Sequence, residues 1–70
     1  MTREEILGIK EVFKEGMGVY LYEMQGEPNM FDLKGEVLYV DDIGQVHVRW
    51  ENGSSLALNV NCDSYKLLER

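Results

Sequence analysis

The first residues of the chain repeat apolar side chains at the period of a helix. Four of them fall on one side of a helical wheel: Ile6, Ile9, Val12 and Phe13. Thr2, followed three residues later by Glu5, forms a capping box that satisfies backbone N–H groups at a helix start. Gly16 is suited to end the helix in a left-handed conformation. We therefore predict a helix over residues 3–15, whose apolar side closes the core or, alternatively, binds a partner or a second copy of the chain.

After Gly16 the pattern changes to the two-residue alternation of β-strands. A first strand is predicted at 19–24, where Val19, Leu21 and Glu23 alternate with Tyr20, Tyr22 and Met24. The stretch 25–34 contains Gly26, Pro28 and Asn29, and we predict it to be a long irregular loop. Further strands are predicted at 36–41, 45–50 and 54–60, with a short last strand at 65–68.

Two short loops that end in glycine predict the register of these strands. Asp42-Ile43-Gly44 and Glu51-Asn52-Gly53 each suit a type I turn followed by a left-handed glycine. Counting from the loops predicts four apolar pairs on one face: Val40 with Val46, Leu38 with Val48, Val48 with Leu56, and Val46 with Leu58. The same register predicts an outer face with Val37, Tyr39, His47, Arg49, Ser55 and Ala57. A two-residue Asn52-Gly53 turn would exchange the faces of the last strand, so the pattern favours the three-residue loop.

The predicted core joins the inward strand residues to the apolar side of the helix. Its strand members are Val19, Leu21, Leu38, Val40, Val46, Val48, Trp50, Leu56, Leu58 and Val60. Five short, twisted strands around so small a core are expected to curl. We therefore predict a single, mostly β domain over 1–70, with an N-terminal helix and, over 18–68, a small SH3-like, five-stranded, partly open barrel. The loop 25–34 would take the place of the long first loop of such barrels.

Composition and charge narrow the classes of function. The 70 residues are 44% hydrophobic and 29% charged, which is typical of a globular domain. The net charge is −6, and Lys34, Arg49 and Lys66 are scattered along the sequence, which disfavours binding to plain nucleic acid or to an anionic membrane. The sequence shows no membrane-spanning run and no signal-peptide core, and its single cysteine, Cys62, suits a reducing compartment. We expect a cytoplasmic protein.

Six short motifs follow one another in the second half of the chain: Gly35-Glu36-Val37, Val40-Asp41-Asp42, Gly44-Gln45-Val46-His47-Val48, Trp50-Glu51-Asn52-Gly53, Ser55-Leu56 and Asp63-Ser64-Tyr65. In these motifs the chain resembles a family of short bacterial domains of unknown function that is frequent in Firmicutes, prophages and conjugative elements. Glu51 and Tyr65 replace the Asp and Phe of the family pattern, and the residues before Gly35 match it loosely. The segment 50–53 is also similar to the hairpin of Mib/Herc2-type SH3-like domains. The resemblance implies no catalytic or cofactor residue.

Two polar groups are candidates for chemistry, and each has a structural alternative. Asp41 and Asp42 would suit a divalent cation, but adjacent strand residues point to opposite faces, and aspartate at the start of a tight turn usually accepts backbone hydrogen bonds. His47 with Cys62 or Asp63 would suit a catalytic or metal pair, although a lone histidine on an outer strand face is more often structural. We predict no enzyme activity, no cofactor and no metal.

Two apolar groups are candidates for binding. Trp50 with Tyr20, Tyr22 and Tyr39 would form an aromatic cage or base-stacking platform, unless Trp50 packs in the core as its register predicts. Met30, Phe31 and Leu33 either fold back as a lid on the barrel or form an exposed anchor for a partner.

The sequence-based hypothesis is a non-enzymatic binding or accessory module associated with a phage or mobile element. Its partner is expected to be a host or phage protein, and a monomer is favoured over a homodimer. The predicted contact residues are Met30, Phe31, Leu33, Tyr39, His47 and Arg49. The alternative hypothesis is a nucleic-acid-directed regulator, acting by direct binding or as an acidic mimic of DNA.

Overall fold

The chain folds into one helix followed by an open antiparallel sheet of four strands. A computed structural model describes residues 1–68; the last two residues of the predicted 1–70 domain lie outside the described part. The elements are α1 (Arg3–Val12), β1 (Gly18–Met24), β2 (Glu27–Val40), β3 (Val46–Trp50) and β4 (Ser64–Leu68). The strand order is β3-β2-β1-β4, so the first strand of the chain lies between the second and the last.

The helix starts as predicted and ends earlier than predicted. The Thr2 hydroxyl accepts from the Glu5 N–H at 3.1 Å, and the Glu5 carboxylate accepts from the Thr2 N–H at 3.2 Å, which confirms the capping box. The predicted helix 3–15 stops at Val12, because Phe13 leaves the helical conformation and buries its ring in the core. None of the ten helix residues is fully buried, so α1 rests on the core mainly through the half-buried Ile9.

The prediction of an irregular loop over 25–34 is wrong. Most of this stretch belongs to β2, a strand of 14 residues that pairs with β1 through a tight turn at Gln25 and Gly26. Pro28 lies near the start of the strand, where a missing N–H is tolerated. Gly26 has a φ of +79° and supplies the sharp reversal.

An irregularity in β2 changes the predicted register. Val40 pairs with Val46, as predicted, and Tyr39 pairs with His47. Beyond Tyr39 the register shifts, and Val48 pairs with Val37 instead of the predicted Leu38. One extra residue in a strand exchanges the faces of everything after it. Val37 is therefore in the core, although it was predicted on the outer face, and Leu38 is only half-buried.

The predicted strand 54–60 is reduced to a single pairing. Val46 and Leu58 exchange backbone hydrogen bonds of 3.0 and 2.7 Å, which confirms that pair. The pair of Val48 with Leu56 does not form, and Leu56 is 40% exposed. The Trp50 indole N–H donates to the Leu56 carbonyl at 2.8 Å and holds this segment beside β3.

The core lies between the sheet, α1 and the segment around Leu58. Its buried members are Phe13, Val19, Leu21, Met24, Met30, Val37, Val46, Val48, Trp50 and Leu58. Val12 was predicted to join them and is exposed instead. The predicted turn geometry is confirmed at both glycines, since Gly44 and Gly53 have φ values of +87° and +84° and donate to the carbonyls of Asp41 and Trp50. Only the first of the two loops joins two strands of the sheet, because no strand follows Gly53 directly.

Candidate functional site

The strand register gathers side chains from all four strands on the side of the sheet that points away from the core. Residues directly opposite one another on neighbouring strands share a face. Lys66, Tyr20 and Lys34 form one row across β4, β1 and β2. The next rows pair Glu36 with Arg49 and Tyr39 with His47. We call this surface the outer face; it comprises Tyr20, Tyr22, Asp32, Lys34, Glu36, Tyr39, His47, Arg49 and Lys66.

At one end of the outer face a hydrogen-bonded aspartate holds a stacked pair of rings. The Tyr39 and His47 rings are nearly parallel, at an interplanar angle of 8° and a centroid distance of 4.3 Å. The His47 Nε2 lies 2.8 Å from the Asp41 Oδ2. Tyr39 remains 56% exposed, so the stack presents aromatic surface to solvent from a fixed position.

Asp41 also organises the loop between β2 and β3. Its Oδ1 accepts from the N–H groups of Ile43 at 3.1 Å and Gln45 at 2.9 Å. The hydrogen bond to His47, with those from the two backbone N–H groups, lowers the pKa of Asp41 below its usual value. The neighbouring Asp42 points away and pairs with Lys10 of α1, with 3.2 Å between the Lys10 Nζ and the Asp42 Oδ1. The two aspartates therefore have separate structural roles, as the turn interpretation of the sequence predicts.

The middle of the outer face combines tyrosines with lysines. The Lys66 Nζ lies 5.8 Å from the centre of the Tyr20 ring, within the range of a cation–π contact. The Tyr20 and Tyr22 rings meet edge to face at 5.1 Å. Lys34 lies opposite Tyr20 on β2. Trp50 is buried in the core, as its register predicts, so the alternative of a cage with the tyrosines does not form, and Tyr20, Tyr22 and Tyr39 share the outer face without it.

The six predicted contact residues do not form one surface. Tyr39, His47 and Arg49 lie together on the outer face. Phe31 is 59% exposed near the β1–β2 turn. Met30 is buried, with only 3% of its surface exposed, and Leu33 is half-buried against the core, so these two side chains help to build the hairpin.

The sequence reasoning missed Lys34 and Lys66 as neighbours of the tyrosines. Both residues alternate with apolar ones, Lys34 with Leu33 and Lys66 with Leu67, and this alternation is the signal that they point outward. Their proximity to Tyr20 depends on which strands pair, and the sequence does not show that β4 returns to lie beside β1.

The groups suggested for catalysis or metal binding do not converge in the part of the chain that the structure describes. His47 is bonded to Asp41, while Cys62 is exposed in the loop before β4 and lines no cleft in common with His47. Across residues 1–68, no three His, Cys, Asp or Glu side chains come together as a metal site would require. Within the same residues, no helix has both the length and the apolar composition needed to cross a membrane.

A second feature is an apolar cleft of about 360 Å³ between α1 and the segment before β4. Ile9, Val12, Phe13 and Tyr65 line it, and Gly8 leaves its helix side open. The Tyr65 ring packs against Phe13 at a centroid distance of 5.7 Å, and partial burial raises the pKa of Tyr65. The outer face combines exposed aromatic rings with charged side chains, and it is the stronger candidate for contact with a macromolecule.

A comparison with protein families decides the family of the chain. The model of the family described as domain of unknown function DUF4314 matches residues 2–68, nearly the whole sequence. The chain belongs to the DUF4314 family. This confirms the prediction, made from the motifs, that the chain belongs to a family of unknown function. No curated protein and no solved structure matches this DUF4314 chain.

Proposed function

We propose that this DUF4314 protein is a small non-enzymatic binding module and that the outer face is its contact surface. The observation that carries the proposal is the exposed Tyr39–His47 stack, fixed by Asp41, with Arg49 two residues further along β3. Rigid aromatic side chains and arginine are the residue types that most often dominate binding energy, because they bury a large area at a low entropic cost. A preorganised side chain also loses less freedom on binding.

The proposed architecture is a partly open SH3-like barrel. The strand order β3-β2-β1-β4 supports it, as does the Val46–Leu58 pairing, because a fifth strand of such a barrel would also pair with β3. Association with phages or mobile elements and a cytoplasmic location are further parts of the proposal, and they rest on the sequence motifs and the composition.

Two classes of partner are compatible with the proposal. A host or phage protein is the class favoured by the sequence, and Phe31 offers it an additional exposed aromatic side chain. A nucleic-acid-directed role is the second candidate, supported by the position of Lys34, Arg49 and Lys66 on the same face. An acidic mimic of DNA would instead use the −6 net charge and bind a basic protein.

The proposal is tested by affinity capture from a bacterial lysate with three forms of the full chain. They are the wild type, Tyr39→Ser on the outer face and Leu7→Ser on the helix, where Leu7 is comparably exposed. Bound proteins and bound nucleic acids are both recovered and compared, and thermal melts verify that each variant is folded. We expect wild type and Leu7→Ser to retain the same partner and Tyr39→Ser to lose it. Identical recovery by all three forms would show that the outer face is not the contact surface.

A further inference from the structure

We propose that the open edge of β4 binds an extended peptide segment of a partner protein, with one apolar side chain of that peptide in the cleft between α1 and the segment before β4. This site is separate from the outer face and goes beyond the proposed function. Two neighbouring features carry it: a row of backbone groups that point away from the sheet, and the apolar cleft beside them.

β4 has a neighbouring strand on one side only. It pairs with β1, and the strand order β3-β2-β1-β4 places no other described strand against it. No Cα atom of α1 lies within 8 Å of a Cα atom of β4, so the helix does not cover this edge. The opposite end of the sheet differs, because Leu58 pairs there with Val46 of β3. Within residues 1–68, β4 therefore has the more open edge.

The alternation of backbone groups identifies which residues of β1 face β4. Val37 of β2 donates to the Met17 carbonyl and accepts from the Gly16 N–H, each at 2.8 Å, so its backbone groups face β1. Successive residues of an antiparallel strand turn their N–H and C=O groups to opposite sides. In the register of β1 with β2, the odd-numbered residues of β1 therefore bond to β2. The even-numbered residues Gly18 and Tyr20 face β4.

The same alternation places two residues of β4 on the open edge. The β1 residues that face β4 pair with Leu68 and Lys66, so these two turn their backbone groups to β1. Tyr65 and Leu67 turn theirs outward, and no backbone hydrogen bond joins them there to another segment of residues 1–68. Such a row of N–H and C=O groups is satisfied by the backbone of an extended chain that adds to the sheet. The chemistry of the edge therefore indicates a peptide as its occupant.

The apolar cleft lies beside this edge. Tyr65 lines it opposite Ile9 and Val12 of α1, and none of its lining residues belongs to β1. The cleft is therefore on the side of Tyr65 that faces away from β1. A peptide strand paired with β4 turns alternate side chains to the face on which Tyr65 lies. One of these reaches the cleft, whose volume of about 360 Å³ admits the side chain of a leucine or phenylalanine.

Gly8 keeps the helix side of the cleft open. Glycine in the interior of a helix is less favourable than alanine. Gly8 has an ordinary helical conformation, and a Cβ built on it meets no atom within 4 Å, so neither the backbone nor the packing requires glycine there. The unfilled cleft is the remaining structural effect of this residue. A cleft that a partner's side chain fills accounts for it.

Charge distinguishes a partner's peptide from a second copy of the chain. Pairing two copies edge to edge would bring together two chains of net charge −6, which repel each other at neutral pH. Glu5 lines the cleft, and Glu23 lies opposite Ser64 at the start of β4. The cation of β4, Lys66, turns its side chain to the outer face, away from the cleft. The occupant that fits is an extended segment with alternate apolar side chains and a positive net charge.

The test starts from a display library of random peptides of about ten residues, which is long enough to span a strand, selected against the full chain. An enriched peptide is synthesised with a fluorescent label, and its affinity is measured by anisotropy. Hydrogen exchange followed by NMR, with and without the peptide, reports which amides it protects. We expect apolar residues at alternate positions of the peptide and slower exchange of the Tyr65 and Leu67 amides in the complex. The Lys66 amide, which faces β1, should change little.

Two variants block the two parts of the site, and each has a matched control. Leu67→Pro removes an outward N–H at a position where an edge strand tolerates proline, and Leu67→Ala shortens the same side chain but keeps the N–H. Gly8→Leu fills the cleft, and Glu11→Leu adds the same side chain at an exposed helix position outside it. We expect Leu67→Pro and Gly8→Leu to bind the peptide about tenfold more weakly than their controls. Thermal melts verify that each variant is folded.

Three results would overturn the inference: no enriched peptide, an enriched peptide that leaves the exchange of the Tyr65 and Leu67 amides unchanged, or equal affinities of Leu67→Pro and Leu67→Ala. Equal affinities of Gly8→Leu and Glu11→Leu would overturn the placement of a side chain in the cleft, and this comparison decides if Leu67→Pro does not fold. Protection of the same amides at high protein concentration without peptide would assign the edge to a second copy instead. The affinity capture with Tyr39→Ser tests the outer face independently of all these outcomes.

Discussion

At the residue scale, Gly35 shows how one missing side chain shapes the core. It lies on the inner face of β2, where it pairs with Trp50, and the indole ring covers it. A Cβ built on Gly35 would lie 2.8 Å from the Trp50 Cε3 and would also collide with a methyl group of Val48. We expect Gly35→Ala to lower the free energy of unfolding by about 1–3 kcal/mol through overpacking, as measured by urea denaturation.

Gly8 is a control for Gly35, because a side chain added at Gly8 has room and should stabilise the protein. It lies within α1, has an ordinary helical conformation, and a Cβ added there meets nothing within 4 Å. Gly8→Ala should raise the free energy of unfolding by up to about 1 kcal/mol, because alanine has the higher helix propensity. Equal stability of Gly35→Ala and the wild type would contradict the close packing of Trp50 on Gly35.

Asp41 links stability to pH. Its pKa in the folded chain is lowered, first by the hydrogen bond with His47 and then by those from the Gln45 and Ile43 N–H groups. A lowered folded pKa means that the stabilisation is complete above the unfolded value of about 3.9 and is lost as the pH falls through the folded value. We expect Asp41→Asn to melt at a lower temperature than the wild type at neutral pH, and the difference between the two melting temperatures to shrink below about pH 4. A difference in melting temperature that stays constant with pH would contradict this linkage.

At the element scale, the loop between β3 and the following segment depends on Gly53. Its φ of +84° is disfavoured for side chains with a Cβ, although there is open space around it. Gly53→Ala should lower the free energy of unfolding by about 1–2 kcal/mol through backbone strain alone. Ser55→Ala, at an exposed position two residues later, should change it little. Equal urea midpoints for the two variants would show that the loop does not require the left-handed conformation.

We expect α1 to be the element whose backbone amides are least protected from hydrogen exchange. Its residues are exposed or half-buried, while Val19 and Leu21 of β1 are fully buried between two strands. Local opening costs little free energy where few apolar contacts are lost. Hydrogen exchange followed by NMR should therefore show faster exchange for the Ile9 amide than for the Leu21 amide. Equal protection factors would mean that α1 opens only with the whole domain.

The elements that could be predicted are those with strong local signals. The capping box of Thr2 and Glu5 and the glycines at the ends of the two loops were correct, because each depends on neighbours within four residues. Strand β2 was missed in its first half, because Pro28 and Asn29 resemble loop residues locally while pairing with β1 holds them extended. Tertiary pairing overrides local propensity in such a segment.

The bulge near Leu38 explains why the candidate site was predicted only in part. Tyr39 and His47 lie between the β2–β3 loop and the bulge, so counting from the loop placed them correctly. Val37 lies beyond the bulge, and its face was therefore inverted. A bulge that carries no glycine or proline leaves no signal in the sequence, and the position of Lys34 and Lys66 on either side of Tyr20 depends on long-range strand pairing.

At the scale of the whole molecule, net charge controls whether copies of the chain associate with one another. The chain carries −6 at neutral pH and has a sequence pI of about 4.5. Mutual repulsion at neutral pH opposes self-association, and it disappears near the pI. We expect light scattering to report a monomer at pH 7 and growing particles as the pH approaches 4.5. A stable dimer at pH 7 would instead indicate that exposed side chains such as Leu7 and Val12 of α1 are covered by a second copy.

The hydrogen bond between the Trp50 indole and the Leu56 carbonyl has an optical consequence. Trp50 is the single tryptophan of the chain, and its ring is buried while its N–H holds the segment beside β3. The wavelength of its fluorescence emission should therefore increase when that segment detaches and water reaches the ring. Without any added label, Trp50 therefore reports on the contact between β3 and the segment 54–60. A red shift that precedes the loss of strand circular dichroism would reveal that this segment detaches before the sheet unfolds.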